Sequence, residues 1–125
     1  MSKKIMIVDD DPQLRAMYKA ALEMRDYEVT MDIDGEAALN SLIKDKFRPD
    51  LILLDVMMPK MHGLEVLDVI KHDDNTKDIK VIMLSAVSDE DVKIKAANHG
   101  AYSYIVKSEI SMADVIEKIE ETLNS

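Results

Sequence analysis

The stretch that decides the fold is Lys4–Gln13, KIMIVDDDPQ, in which four apolar residues lead directly into three aspartates and a proline. A continuous apolar run of this kind is typical of a strand covered on both faces of a parallel sheet. Pro12 suits the first position of a helix, where its missing N–H costs no hydrogen bond, and Asp11 can cap that helix. The stretch predicts a buried strand, an acidic turn and a helix, and it raises the question of why three carboxylates crowd at a strand end.

Four more short apolar runs follow along the chain: Tyr27–Met31, Leu51–Leu54, Val81–Leu84 and Tyr104–Val106. The stretches that follow the runs carry apolar residues at the i, i+3, i+4 spacing of a helix face. Alternating strands and helices indicate right-handed crossovers and a parallel sheet with helices on both faces. We predict an α/β fold, a doubly wound five-stranded parallel sheet in the flavodoxin-like order 2-1-3-4-5 with five helices. The run Tyr27–Met31 alternates, which is typical of an edge strand.

Polar residues and one glycine mark the predicted ends of two helices. Ser88-x-x-Asp91 and Ser111-x-x-Asp114 have the spacing of N-terminal caps, and Gly100 suits the left-handed position that ends a helix. The fourth helix, with Val92 and Ala96 as its main apolar residues, has the weakest apolar stripe of the five.

The composition limits the classes of function. A length of 125 residues predicts one domain, 1–125. A net charge of −9 opposes direct binding to nucleic acid or to an anionic membrane, and it suits a divalent cation or a basic protein partner. The chain has no cysteine, which is compatible with the cytoplasm, where we expect the protein to lie. Its apolar runs are too short for a signal peptide or for the ~20 residues of a transmembrane helix.

Polar residues follow four of the predicted strands, at the edge of the sheet where such folds bind ligands. They are Asp9, Asp10, Asp55, Ser85 and Lys107. Carboxylates this close cannot all stay ionised without a cation. Oxygen ligands without histidine or cysteine favour a hard ion, Mg²⁺ (or Mn²⁺). We therefore predict that the aspartates are crowded because a metal ion lies between them.

This set of residues suits phosphoryl chemistry. A carboxylate beside Mg²⁺ can attack phosphorus and form an acyl phosphate. The metal ion would neutralise some phosphoryl oxygens, while a lysine and a hydroxyl, here Lys107 and Ser85, could hold the others. Asp55 is the best candidate nucleophile because it ends the presumed central strand, flanked by the other residues.

Several short motifs lie at these strand ends or close to them: Asp9-Asp10, Leu54-Asp55-x-x-Met58-Pro59 with Gly63, Ser85-Ala86, Gly100-Ala101 and Lys107. Together they resemble the receiver domain of two-component response regulators, the family of the chemotaxis response regulator, over essentially the whole chain. The resemblance implies a phosphoryl-accepting signalling switch. It also implies that the protein is not an enzyme beyond self-phosphorylation from small donors and self-dephosphorylation.

The resemblance also implies roles for residues of the site. Asp55 would accept the phosphoryl group from the phosphohistidine of a histidine kinase or phosphotransfer protein. Asp10 and Asp55 would bind Mg²⁺ directly, together with the backbone carbonyl of Met57, and Asp9 would act mainly through a metal-bound water. Ser85 would hydrogen-bond the phosphoryl group.

The remaining implied roles concern the response to phosphorylation. Lys107 would pair with the phosphoryl group, and Tyr104 would turn inward when Ser85 moves towards it. Tyr104 as an ordinary residue at the edge of the core is the alternative. A phosphoryl group adds about −1.5 to −2 charge. The face of the fourth helix, fifth strand and fifth helix would then contact a downstream effector protein or form a phosphorylation-dependent dimer.

Four positions depart from the pattern of the family. Ser108 replaces a common proline, which puts the usual cis peptide in doubt, and His62, which replaces a frequent aspartate, is expected to be a solvated loop residue. Met57 and Val87 are apolar where the family often has polar groups that position the hydrolytic water. We therefore predict slow self-dephosphorylation.

Three other functions stay open as alternatives. A degenerate receiver would act as an unphosphorylated binding module. An aspartate-nucleophile phosphatase of the haloacid dehalogenase kind needs Asp-x-Asp, whereas the chain has Asp55-Val56-Met57. A flavodoxin-like cofactor binder needs a loop that cradles a phosphate, and the aspartates after the first strand would repel one.

Overall fold

The computed structural model describes residues 2–86 and 88–125. The strands are β1 (Lys4–Val8), β2 (Glu28–Asp32), β3 (Leu51–Asp55), β4 (Lys80–Ser85) and β5 (Ser103–Val106). The helices that follow them are α1 (Pro12–Glu23), α2 (Gly35–Leu39), α3 (Gly63–His72), α4 (Glu90–Asn98) and α5 (Met112–Leu123). Helix α2 continues as a π-helical segment over Asn40–Lys44. Strands and helices alternate as predicted.

The sheet is parallel throughout, in the order β2-β1-β3-β4-β5, which confirms the predicted topology and the edge position of β2. Strand β3 is central, and all five of its residues are buried. In the register of the sheet Val8 lies opposite Leu54, Asp55 opposite Leu84, and Ser85 opposite Val106. The carboxyl ends of four strands therefore lie side by side, and the loops that leave them share one edge.

The helices pack on the two faces of this sheet. Apolar residues of α2, α3 and α4, with Ala38, Leu67 and Ala96 among them, cover one face. Residues of α1 and α5, such as Leu22 and Ile119, cover the other face. Both cores use continuous apolar strands, because each strand has one row of side chains on either face.

Three of the four predicted helix boundaries agree with the structure. The Asp11 carboxylate caps α1, Ser111 forms a capping box at α5, and Gly100, with φ +95°, follows α4. The predicted cap at Ser88 is wrong. Asp89 caps α4 instead, accepting hydrogen bonds from the N–H groups of Asp91 (3.0 Å) and Val92 (3.3 Å), because the helix begins one residue later than the spacing suggests.

Among residues 2–86 and 88–125, no helix is long and apolar enough to cross a membrane. None of their peptide bonds is cis, so the bond between Lys107 and Ser108 is trans.

Candidate functional site

The turn after β1 is held by hydrogen bonds to Asp9, which is only 1% exposed. Its N–H donates to the carbonyl of Asp32 (3.2 Å), and its carboxylate accepts from the Asp11 N–H (2.9 Å) and from Lys107 Nζ (3.1 Å). Asp10, the next residue, is exposed. A strand end that fixes Asp9 in this way therefore presents Asp10 at the surface of the site.

Asp55 ends the central strand and is 4% exposed. Its Oδ1 accepts a hydrogen bond from the Met57 N–H (3.3 Å) and lies 3.9 Å from Lys107 Nζ. One carboxylate oxygen from each of Asp9, Asp10 and Asp55 lies within 4.8 Å of the others. The loops after β1 and β3 thus bring together the three aspartates that the sequence predicted to converge.

The environment makes the charge of Asp55 costly. The pKa of the Asp55 carboxyl group is raised to about 7, mainly by burial and next by the negative charge of Asp9. The positive charge of Lys107 and the hydrogen bond from Met57 lower the pKa, and the charge of Asp10 raises it. Near neutral pH the site therefore lacks enough positive charge for its own carboxylates, which is the condition that favours binding of a cation.

Lys107 and Ser85 are joined through the backbone. The Lys107 N–H donates to the carbonyl of Ser85 at 2.7 Å, and the Ser85 residue is fully buried. The ammonium group of Lys107 reaches 98 residues back along the chain to the Asp9 carboxylate. Lys107 therefore connects the ends of β4 and β5 to the acidic turn after β1.

The loop between β3 and α3 is packed tightly against the site. Gly63 donates its N–H to the Val56 carbonyl (2.7 Å), and a Cβ atom at this position would collide with the carbonyl oxygen of Asp55. His62 is not the solvated loop residue expected from the sequence. It caps α3, with Nδ1 accepting from the Leu64 N–H (3.1 Å) and its own N–H donating to Glu65 Oε1 (3.2 Å).

Tyr104 lies on β5 and is half-buried against the core under α2, α3 and α4. It lines a cavity of about 270 Å³ between the start of α4 and the loop before α5, together with Asp89, Lys93 and Ile110. Val87, one of the two apolar positions used to predict slow dephosphorylation, lies outside the described residues. Met57, the other, is 58% exposed.

One contact of the site was not expected from the sequence. Arg15 of α1 is half-buried and donates a hydrogen bond from Nη1 to the carbonyl oxygen of Asp9 (2.7 Å). A basic residue near the start of a helix, where acidic residues are favoured, is the signal that could have drawn attention to it.

The donor set at the edge of the sheet fits a hard divalent cation. Its three carboxylates offer only oxygen, two of them are buried, and they converge without histidine or cysteine. This is the chemistry that Mg²⁺ or Mn²⁺ prefers.

The chain matches the response regulator receiver domain family over residues 5–120. It is 38% identical over 123 residues to the phosphate regulon transcriptional regulatory protein PhoB of Pseudomonas aeruginosa, covering 98% of the chain and 52% of that protein. It is 36% identical over 104 residues to the DNA-binding dual master transcriptional regulator RpaA of Synechocystis, covering 83% of the chain and 42% of that protein. The chain therefore spans about half the length of the curated relatives it matches.

Solved structures agree with this match. A CheY-like response regulator receiver domain protein from Methanospirillum hungatei has a TM-score of 0.90 and 30% sequence identity, over 99% of this chain and 95% of that one. The converging aspartates, the lysine after β5 and the sheet order all suit the same assignment. The chain belongs to the response regulator receiver domain family.

Proposed function

We propose that Asp55 is the phospho-acceptor of a signalling switch that a histidine kinase or phosphotransfer protein loads in the presence of Mg²⁺ or Mn²⁺. The observation that carries the proposal is the convergence of the Asp9, Asp10 and Asp55 carboxylates, with the ammonium group of Lys107 within 3.9 Å of Asp55. An Asp55 oxygen forms the new bond to phosphorus. The bond from phosphorus to the donor imidazole breaks, and the imidazole keeps its electron pair and takes up a proton.

The residues that would hold the cation are Asp10, Asp55 and the backbone carbonyl of Met57, with Asp9 acting through a water molecule. A bound divalent cation neutralises charge on phosphoryl oxygens. Asp9 keeps Lys107 beside the acceptor, because its carboxylate accepts from Nζ at 3.1 Å. Lys107 and the hydroxyl group of Ser85 would hold the phosphoryl group after transfer.

The switch would act through the end of β4 and through β5. Phosphorylation adds about −1.5 to −2 charge next to Lys107 and Ser85, whose backbones share a hydrogen bond. When Ser85 moves towards the phosphoryl group, Tyr104, which lines the cavity between the start of α4 and the loop before α5, would turn inward. The face formed by α4, β5 and α5 would then bind a downstream effector protein in the cytoplasm or a second phosphorylated copy.

The test is the intact mass after incubation with acetyl phosphate and Mg²⁺. We expect a gain of about 80 Da, the mass of one phosphoryl group, that is lost in Asp55→Ala. Asp50→Ala, which removes an aspartate at the opposite end of the same strand, is the matched control and should still gain the mass. No gain in the wild type would favour the degenerate receiver, and steady release of phosphate from a small ester would favour the phosphatase.

A second test concerns the lifetime of the acyl phosphate. Met57 is exposed beside the acceptor and offers no polar group to a hydrolytic water, so we expect slow loss of the phosphoryl group. Met57→Asn should speed the loss by about tenfold, the effect of lowering the barrier by about 1.4 kcal/mol. The phosphorylated fraction is followed by intact mass after the donor is removed. Rapid loss from the wild type, with no kinase present, would contradict this prediction.

A further inference from the structure

Asp10 needs a fixed direction if it is to share a cation with Asp55. Its side chain is exposed, so its direction depends on the backbone of the turn that carries it. That turn is anchored at Asp9, whose N–H donates to the Asp32 carbonyl. The Asp9 carboxylate accepts hydrogen bonds from the Asp11 N–H and from Lys107 Nζ. These bonds leave the peptide plane between Asp9 and Asp10 to be held through the Asp9 carbonyl.

Arg15 binds that carbonyl. Its backbone N–H donates to the backbone carbonyl of Asp11 at the start of α1 (3.0 Å). Its guanidinium group reaches back and donates to the backbone carbonyl of Asp9 at 2.7 Å. A cation near a helix N-terminus opposes the helix dipole, which favours acidic residues there. The side chain is nevertheless half-buried in this position, as expected of a group held by a specific hydrogen bond and not of a solvated one.

We propose that Arg15 is a positioning residue, which holds the Asp9–Asp10 peptide so that the Asp10 carboxylate faces the cation shared with Asp55. This inference rests on the proposed function. It goes beyond it by assigning the affinity for the cation to a residue that touches neither the cation nor the phosphoryl group.

The proposal predicts the direction in which removal of Arg15 changes the affinity for a divalent cation. If Arg15 acted only as a charge, its removal would tighten divalent cation binding by up to about twofold, because one repelling cation would be gone. If Arg15 positions Asp10, its removal weakens binding by about tenfold, at the lower end of the effects of outer-shell partners of metal ligands. The two interpretations move the dissociation constant in opposite directions.

The experiment measures Mn²⁺ affinity from the electron paramagnetic resonance signal of free Mn²⁺, without any phosphodonor. Arg15→Met should bind about tenfold more weakly, and Arg15→Lys, which keeps a donor and the charge, should recover much of the affinity. Lys19→Met is the matched control, since Lys19 lies one turn further along α1 and forms its ion pair with Glu23 (4.0 Å). It should change the affinity by less than about twofold.

The wild-type protein and Asp10→Asn separate the two proposals. Mn²⁺ binding by the wild type that is lost in Asp10→Asn supports the cation site. If the wild type does not bind Mn²⁺, or if Asp10→Asn binds it equally well, the proposed function itself is overturned. Where the pair behaves as expected, equal or tighter binding by Arg15→Met overturns only the positioning role. Thermal unfolding of each variant shows whether it is folded, and Arg15→Gln replaces Arg15→Met in the same comparison if the latter does not fold.

Discussion

Helices α3 and α4 cover the same face of the sheet, yet they are anchored very differently. Helix α3 buries Gly63, Val66, Leu67 and Ile70, whereas in α4 only Ala96 is buried. The apolar residue Ile94 of α4 is 54% exposed. Burial of apolar area is the main source of stability, so α3 is fixed to the sheet much more firmly than α4.

The loops that precede the two helices begin at different residues of the site. The loop before α3 begins at Asp55 and is packed against it, while the loop before α4 begins beyond Ser85. The weakly anchored helix therefore follows the residue that would respond to the phosphoryl group, and the firmly anchored one follows the residue that would carry it. Elements that move in switching are drawn from the less stable parts of a structure.

The largest effect should come from removing an anchor of α3. Leu67 is fully buried, so Leu67→Ala should lower the free energy of unfolding by about 3 kcal/mol through lost burial and the cavity left behind. Val92→Ala, at the partly buried anchor of α4, should cost only about 1 kcal/mol. Urea unfolding measures both. Equal costs would show that the two helices do not differ in anchorage.

Ile94→Ala sharpens the same comparison as a control. The side chain is more than half exposed, and surface substitutions of this kind change stability by less than about 0.5 kcal/mol. A larger loss would indicate that α4 packs more closely than its burial shows.

The next effect concerns Asp55, where the firmly held loop begins. Its pKa of about 7 lies above that of the unfolded chain, so the folded state binds the extra proton. The stability from this proton is fully present below about pH 4 and is lost as the pH rises through 7. Without divalent cations, Asp55→Asn should therefore be more stable than the wild type at pH 8. The full rise in pKa corresponds to about 4 kcal/mol, and we expect a gain of about 2 kcal/mol because the buried amide of asparagine also costs free energy.

The advantage of Asp55→Asn should shrink as the pH falls from 8 to 4, and thermal unfolding across this range measures it. Asp50→Asn is a control with the same change of charge at the other end of β3. A constant difference between the wild type and Asp55→Asn at all pH values would contradict the raised pKa.

The cap of α4 should have a smaller effect on stability than Asp55→Asn. Asp89→Ala removes the acceptor for two N–H groups and should cost about 1 kcal/mol, while Asp89→Ser, another good cap, should cost little. Amide hydrogen exchange tests the location of the loss, which should be confined to α4 and leave α3 protected. Faster exchange in both helices would mean that they open together.

Much of the fold could be predicted because its main signal is local. A fully covered parallel strand needs apolar residues in succession, and Leu51–Leu54 shows this in the sequence alone. The aspartates could be predicted to converge for a similar reason, since parallel strands end at one edge and Asp9 and Asp55 each follow a strand.

What could not be predicted depends on contacts between segments or on small shifts of register. The roles of His62 and Asp89 as caps follow from where the first turn of each helix begins, which spacing fixes only to within a residue or two. The contact of Arg15 with the Asp9 carbonyl requires the Arg15 side chain to reach back from the start of α1 over the turn. The raised pKa of Asp55 requires the burial that only the assembled sheet provides.

The close contact of Gly63 with the Asp55 carbonyl has a consequence for protein engineering. Both ends of the 56–62 connection are tied to the same strand end, so its length cannot change without moving either the acceptor or the first turn of α3. An inserted tag or reporter would therefore be tolerated poorly there. The connection around Ser88, next to the loosely held helix, is the better place for an insertion that is meant to read out the state of the switch.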